Sequence, residues 1–136
     1  MPAYSRSSSL AAYQSVAAHG GVAAADRHQL IVMLMDGALD RLAAARGAMA
    51  HGQLDTKSRL IHRTVAILEE LRASLNLQAG GEVAANLASL YDYFVRQLMR
   101  ANLENRVELV EEVTKLLTDV RGAWVAMPES ARRTSL

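Results

Sequence analysis

Four stretches of the chain, each about twenty residues long, repeat apolar residues at steps of three and four, and short runs holding Gly, Asn or Pro separate them. Such spacing gathers apolar side chains on one face of a helix, at about 3.6 residues per turn. The first helix is expected to begin at Asp26, whose carboxylate can cap the following turn, and to run to about Ala50 before "HGQLD". Its seam reads Ile31, Leu34, Ala38, Leu42, Ala45 and Met49. The second, from about Thr56 to Asn76, carries Ile61, Val65, Leu68, Leu71 and Leu75; "NLQAGGE" then breaks the chain. The third, from about Glu82 to Ala101, carries Val83, Leu87, Leu90, Phe94 and Leu98. After "NLEN" the fourth, from about Val107 to Met127, carries Val110, Val113, Leu117, Val120 and Trp124, and Pro128 stops it. Four such helices with short connections predict an all-α fold, an antiparallel four-helix bundle over residues 26–127.

The ends differ from the middle. Residues 1–25 open with the Ser-rich "MPAYSRSSSL" and read as a flexible arm. Within it "LAAYQSVAA", from Leu10, puts Leu10, Tyr13 and Ala17 at helical spacing before Gly20 and Gly21, enough for a short extra helix that needs a surface to lie on. Residues 128–136 end in the polar "ESARRTSL", read as a disordered tail.

Composition narrows the function. Hydrophobic residues make up 51% of the chain but aromatics only 4%, which favours packed helices over a sheet. With 15 basic and 14 acidic residues mixed along the chain, no basic stripe marks a nucleic-acid partner. The absence of cysteine removes disulfides and thiolate chemistry and fits a cytoplasmic protein. The apolar runs are too short for direct membrane insertion, and the N-terminus lacks a signal-peptide layout.

The stretch "LIVMLMDGAL", from Leu30, is apolar on more than one side. With the seam turned to the core, steps of ~100° put Val32, Met35 and Leu39 on one flank and Leu30 and Met33 on the other side and towards the back, with Asp36 and Asp40 as the polar wedge. On the third helix Ala84, Ala88, Tyr91 and Val95 form a comparable flank, small residues making a trough beside a ring. These flanks are either the wide apolar faces of a helix touching two neighbours, or a docking groove for a segment of another chain, with methionine as adaptable surface. Periodicity alone leaves both open.

Catalytic chemistry finds little support. His19, His28, His51 and His62 lie at no metal-ligand spacing, and no Glu precedes a His by three residues as in di-iron bundles. No nucleophile elbow or phosphate-binding glycine loop is present, so no enzyme, metal or cofactor is expected. His62, in "LIHRTVAIL", raises a histidine phosphotransfer bundle as an alternative, but Arg63, Thr64 and Val65 follow it where that family carries a Lys-Gly-Ser type of run. A purely structural helical oligomer is the other alternative.

Three blocks, "HQLIVMLMDGAL" from His28, "GGEVAANLASLYDYFVRQLMRANLEN" from Gly80 and "VEEVTKLLTDVRGAW" from Val110, resemble the flagellin export chaperones of bacterial flagellar assembly, the FliS family. The resemblance runs from about Leu10 to Trp124. The middle block, a Gly-Gly-Glu helix start followed by Asn86-Leu87, Leu90-Tyr91, Tyr93 and Ala101-Asn102, is its most specific part. It implies a cytoplasmic bundle that binds the disordered C-terminal segment of flagellin, prevents premature polymerisation and assists delivery to the export gate. It also implies that the arm, with Leu10 and Tyr13, takes part in client binding or export-gate docking and can occupy client surface when the client is absent. Two departures stand out: Asp26-Arg27 where the family often has Ser-Pro, and Met35 where an aromatic usually precedes the Asp-Gly pair.

Overall fold

In the computed structural model, residues 23–128 are described, with side chains from Arg27 onward. Residues 1–22 and 129–136, which include Leu10 and Tyr13 and the expected short arm helix, lie outside the described residues. Four helices follow in order: α1 (Ala23–Ala50), α2 (Leu54–Ala73), α3 (Leu77–Glu104) and α4 (Val107–Val125). Each packs on its neighbours in sequence, and α4 returns to α1, while the diagonal pairs stay apart. The result is an all-α four-helix bundle with a single shared interior.

All four helices bury residues on a repeat of 3.5. Apart from Ala48 and Glu70, which are buried beside this repeat, these are His28, Ile31, Met35, Ala38, Leu42 and Ala45 in α1 and Lys57, Ile61, Thr64, Leu68 and Leu71 in α2. In α3 they are Ala84, Ala88, Tyr91, Phe94, Leu98 and Ala101, and in α4 Val110, Val113, Leu117 and Trp124. A 3.5 repeat keeps a seam facing its neighbours as helices wind gently around one another, because a straight helix of 3.6 residues per turn drifts ~20° per heptad. This register corrects the seams expected from sequence. Met35, fully buried, takes the interior place assigned to Leu34, and Thr64 takes that of Val65. Val83 is 57% exposed, and the seam of α3 begins instead at Ala84.

His28, Lys57 and Thr64, polar residues on these seams, are each hydrogen-bonded. Thr64 donates to the Leu60 carbonyl of its own helix, 2.9 Å away. Lys57 Nζ donates to the Asn102 carbonyl (3.1 Å) and the Asn105 side chain (3.3 Å), setting a cation against the C-terminal end of α3. His28 and Trp124 stack with ring centroids 5.1 Å apart. Trp124 Nε1 donates to the His28 carbonyl (3.0 Å) and His28 Nε2 meets the Trp124 carbonyl (2.8 Å), closing the start of α1 onto the end of α4.

The helix ends follow local chemistry. α1 stops at Gly52, whose φ of 67° admits the return bond from Gln53 N–H to the Ala48 carbonyl (2.9 Å). α3 stops on Asn105, also left-handed, with the Arg106 N–H reaching the Ala101 carbonyl (3.0 Å). The expected break over "NLQAGGE" is narrower than the sequence suggests. Asn76 does not extend α2; its side chain accepts from the Ala79 N–H (3.0 Å) and caps a helical turn beginning at Leu77. Gly81, at φ 54° and ψ −131°, then kinks that turn against the rest of α3. An L-residue rarely adopts such a backbone, so the break is confined to the second glycine of the pair.

Candidate functional site

The two apolar flanks read from sequence do not meet. α1 and α3 are diagonal in the bundle, so no groove can be lined by both. Met35, Ala84, Ala88 and Tyr91 are each at most 5% exposed, core residues and not an open flank. The heptad register turns them inward, and the small side chains of Ala84 and Ala88 let helices approach closely. Val32, Leu39 and Leu30 are partly buried against the core. Between Val32 and Leu39 stands Asp36, bonded to Arg121 of α4, so this side of α1 is closed by a neighbouring helix. Met33 alone of the α1 set lies open, at 62% exposure.

Val95 belongs to a different surface. Its half-buried side chain and the edge of Tyr91 line a cleft of about 440 Å³ between α2 and α3, with Leu68, Glu69, Arg72, Ala73, Asp92 and Arg96. The floor is apolar; burial pushes the Tyr91 phenol well above the ordinary tyrosine range, so the ring is neutral. At one end Arg72 donates to both carboxylate oxygens of Asp92, at 2.7 and 3.2 Å, and this hydrogen-bonded pairing holds the Asp92 carboxyl below its ordinary value. Being exposed, the pair contributes little to stability but defines the cleft's edge.

From the cleft an apolar stripe continues along α3. Tyr91, Val95, Met99 and Leu103 are spaced by four, so each lies ~40° further round the helix than the last. Exposure rises with that drift, from 2% at Tyr91 to 42% at Met99 and 86% at Leu103. Met99 and Leu103, like Leu68, Arg72 and Arg96, were absent from the site expected from sequence. The spacing that carries the stripe onward from Val95 is nonetheless legible there.

The residues of the middle block now have physical roles. Tyr93 donates to Glu112 Oε2 (2.7 Å) and Gln97 donates to Oε1 (3.0 Å), tying α3 to α4. These two hydrogen bonds, that from Gln97 first, hold the Glu112 carboxyl below its ordinary value. Asn102 and Ser58 exchange hydrogen bonds at 3.0 and 3.2 Å, tying α3 to α2. His62 is exposed on α2. Among the described residues no three His, Asp or Glu side chains converge to hold a metal ion, and no helix is long and apolar enough to cross a membrane.

Comparison with known proteins bears on the same residues. The family model described as "Flagellar protein FliS" matches residues 9–131. A flagellar secretion chaperone, FliSB, of Pseudomonas aeruginosa is 43% identical over 112 residues, covering 82% of this chain and 89% of its own. The flagellar secretion chaperone FliS of Salmonella typhimurium is 40% identical over 118 residues, covering 86% and 87%. That of Vibrio cholerae is 33% identical over 120 residues, 88% of each chain. With the four-helix bundle, the interhelical ties of the middle block and a match spanning nearly the whole chain, the protein belongs to the FliS family of flagellar proteins.

Proposed function

We propose that this chain is a cytoplasmic flagellar secretion chaperone that binds the disordered C-terminal segment of flagellin, keeps it from polymerising early and assists its delivery to the export gate. The observation that carries the reading is the partly open apolar track along α2 and α3, from Leu68 and Val95 to Met99 and Leu103, on a bundle whose interior is already filled. A chaperone for an unfolded segment needs such a surface. Coupled folding of a disordered chain buries about 1,000–3,000 Å² and spends several kcal/mol on ordering, which short polar anchors do not supply. The track is too small for that alone, so the client extends over further surface, with Met33 of α1 and the arm residues Leu10 and Tyr13 as candidates. The edges of Leu30, Val32 and Leu39 are secondary.

No nucleotide or catalytic step enters this scheme. Sequestration follows from binding, and release follows from competition at the export gate. Calorimetric titration with a peptide covering the C-terminal region of flagellin from the same organism tests it. A saturable one-to-one isotherm with negative ΔCp is expected. No heat at several temperatures, together with no co-elution with full-length flagellin, would remove the reading. Leu10→Ala with Tyr13→Ala is expected to weaken binding or export while leaving helical CD intact; unchanged behaviour in both would remove the arm from the mechanism.

A further inference from the structure

Two consecutive residues of α1 close the ends of both neighbouring helices. Arg27 Nη2 donates to the carbonyl of Ser74, the residue that caps α2, at 2.8 Å. His28 Nε2 lies 2.8 Å from the carbonyl of Trp124, in the last turn of α4. A carbonyl oxygen only accepts, so His28 carries a proton on Nε2 and is the donor. The last carbonyls of a helix have no partner in its regular ladder, and each of these bonds supplies one. Arg27 also sets a cation against the negative end of α2.

His28 is held in the other direction as well. Its own carbonyl accepts from Trp124 Nε1 at 3.0 Å, and its ring stacks on the indole with the planes within 12°. Both residues are buried, so water cannot take over these bonds while the turn stays in place. The α2/α3 seam, by contrast, is tied at its two ends through exposed or half-buried side chains, Ser58 with Asn102 and Arg72 with Asp92.

From this geometry we infer that Arg27 and His28 form a two-sided latch, through which the start of α1 and the ends of α2 and α4 open and close as one unit. The two side chains leave adjacent positions of one turn, ~100° apart, each towards a different neighbour. A shift of that turn therefore strains both bonds together. Residues 1–22 join the bundle through this turn, so a pull on them is passed to α2 and α4 at once. The latch is a conformational device of the bundle itself and stands whether or not a flagellin segment binds.

Hydrogen–deuterium exchange of the full chain, read by mass spectrometry, tests the latch. His28→Ala removes one side of it. Exchange is expected to rise about tenfold in segment 119–127, the effect of one lost hydrogen bond on a local opening. A rise of similar size is expected in 68–76, where His28 has no hydrogen bond among the described residues, while 38–45 and 94–101 in the middle of the bundle keep their wild-type rates. Arg27→Ala is expected to accelerate 119–127 along with 68–76. Trp124→Phe, which keeps an aromatic ring and loses the Nε1 donor, repeats the His28 measurement with a smaller change in packing. If each variant loosens only the end that it contacts, or neither end, the two caps are independent and the latch is overturned. Equal acceleration of 38–45 and 94–101 would overturn it too, because the opening would then be that of the whole bundle.

Discussion

Met33 and Met35, two residues apart on α1, provide the sharpest test of where the core ends. Met35 is completely buried among the interior residues, whereas Met33 is 62% exposed on the outer side of the same helix. Truncation of a buried methionine to alanine removes the transfer free energy of its side chain and leaves a cavity that close-packed neighbours fill only in part, a cost of about 2–5 kcal/mol. Ala38, the next residue on the seam, has only a methyl group with which to fill the space, so Met35→Ala is expected in the middle of that range, about 3 kcal/mol. For a domain of this size each kcal/mol moves Tm by roughly 4–8 °C, giving a drop of about 10–25 °C. Met33→Ala changes a surface side chain and is expected within about 0.5 kcal/mol of wild type. The assay is urea and thermal unfolding followed by far-UV CD, with the urea m-value checked so that a change in midpoint reports stability. If Met35→Ala melts within a few degrees of wild type, or Met33→Ala costs as much, the heptad register assigned to α1 is wrong.

Other perturbations check the remaining elements. Gly81→Ala places a Cβ at φ 54° and ψ −131°, where nothing nearby obstructs it but the backbone conformation disfavours it, so a loss of about 1–3 kcal/mol in urea unfolding is expected from backbone strain alone. Asn102→Ala removes the reciprocal bonds with Ser58 and is expected to cost about 1–2 kcal/mol, less if Ser58→Ala accompanies it, which a double-mutant cycle would read. The Glu112 and Asp92 carboxyls are held below their ordinary values in the folded state, so their stabilisation is present above the unfolded-state pKa near ~4 and is lost as pH falls through the lower folded values. Urea midpoints are therefore expected to decline on acidification below about pH 4–5, with Glu112→Gln softening that limb and Asp92→Asn, in an exposed pair, changing it little; a limb unchanged by Glu112→Gln would mean that its hydrogen bonds do not report on folding.

Much of this architecture is legible in the sequence because helix periodicity is a local property. The four helices follow from spacing alone, although α1 begins at Ala23, ahead of the expected Asp26, and α4 ends at Val125, short of the expected Met127. The phase of a seam is less legible. In "LIVMLMDGAL" six consecutive apolar residues satisfy several registers at once, so Leu34 and Met35 are interchangeable until neighbouring helices choose. At Thr64 the interior position is polar and Val65 beside it is not, which points to the wrong residue unless the Thr64 hydroxyl is known to bond back to the Leu60 carbonyl. Asn76 could end one helix or begin the next, and its side-chain bond to the Ala79 N–H decides for the second. The candidate surface is the least legible part, because it depends on which helices are adjacent: Val95 lies on a flank expected from sequence, but nothing in the spacing places Leu68 of α2 across the cleft from it.

If a client docks as proposed, the distribution of interhelical polar bonds keeps its cost to the bundle small at the α2/α3 seam. The α1/α4 seam is crossed by the His28–Trp124 pair, by Asp36 with Arg121 and by Arg46 with Glu111, and the α3/α4 seam by Tyr93 and Gln97 on Glu112. A segment wedged into either would have to break or desolvate these groups, and a partly buried polar group that loses its partner costs about 1–3 kcal/mol. Between its two end ties, the α2/α3 seam presents the half-buried Val65 and Val95 and the exposed Met99. Covering them removes apolar surface from water at about 25 cal/mol per Å² without sacrificing an interhelical bond. The stable framework and the accommodating surface thus occupy different seams, so if a client docks as proposed, the ordering entropy falls on the client and the bundle keeps its shape.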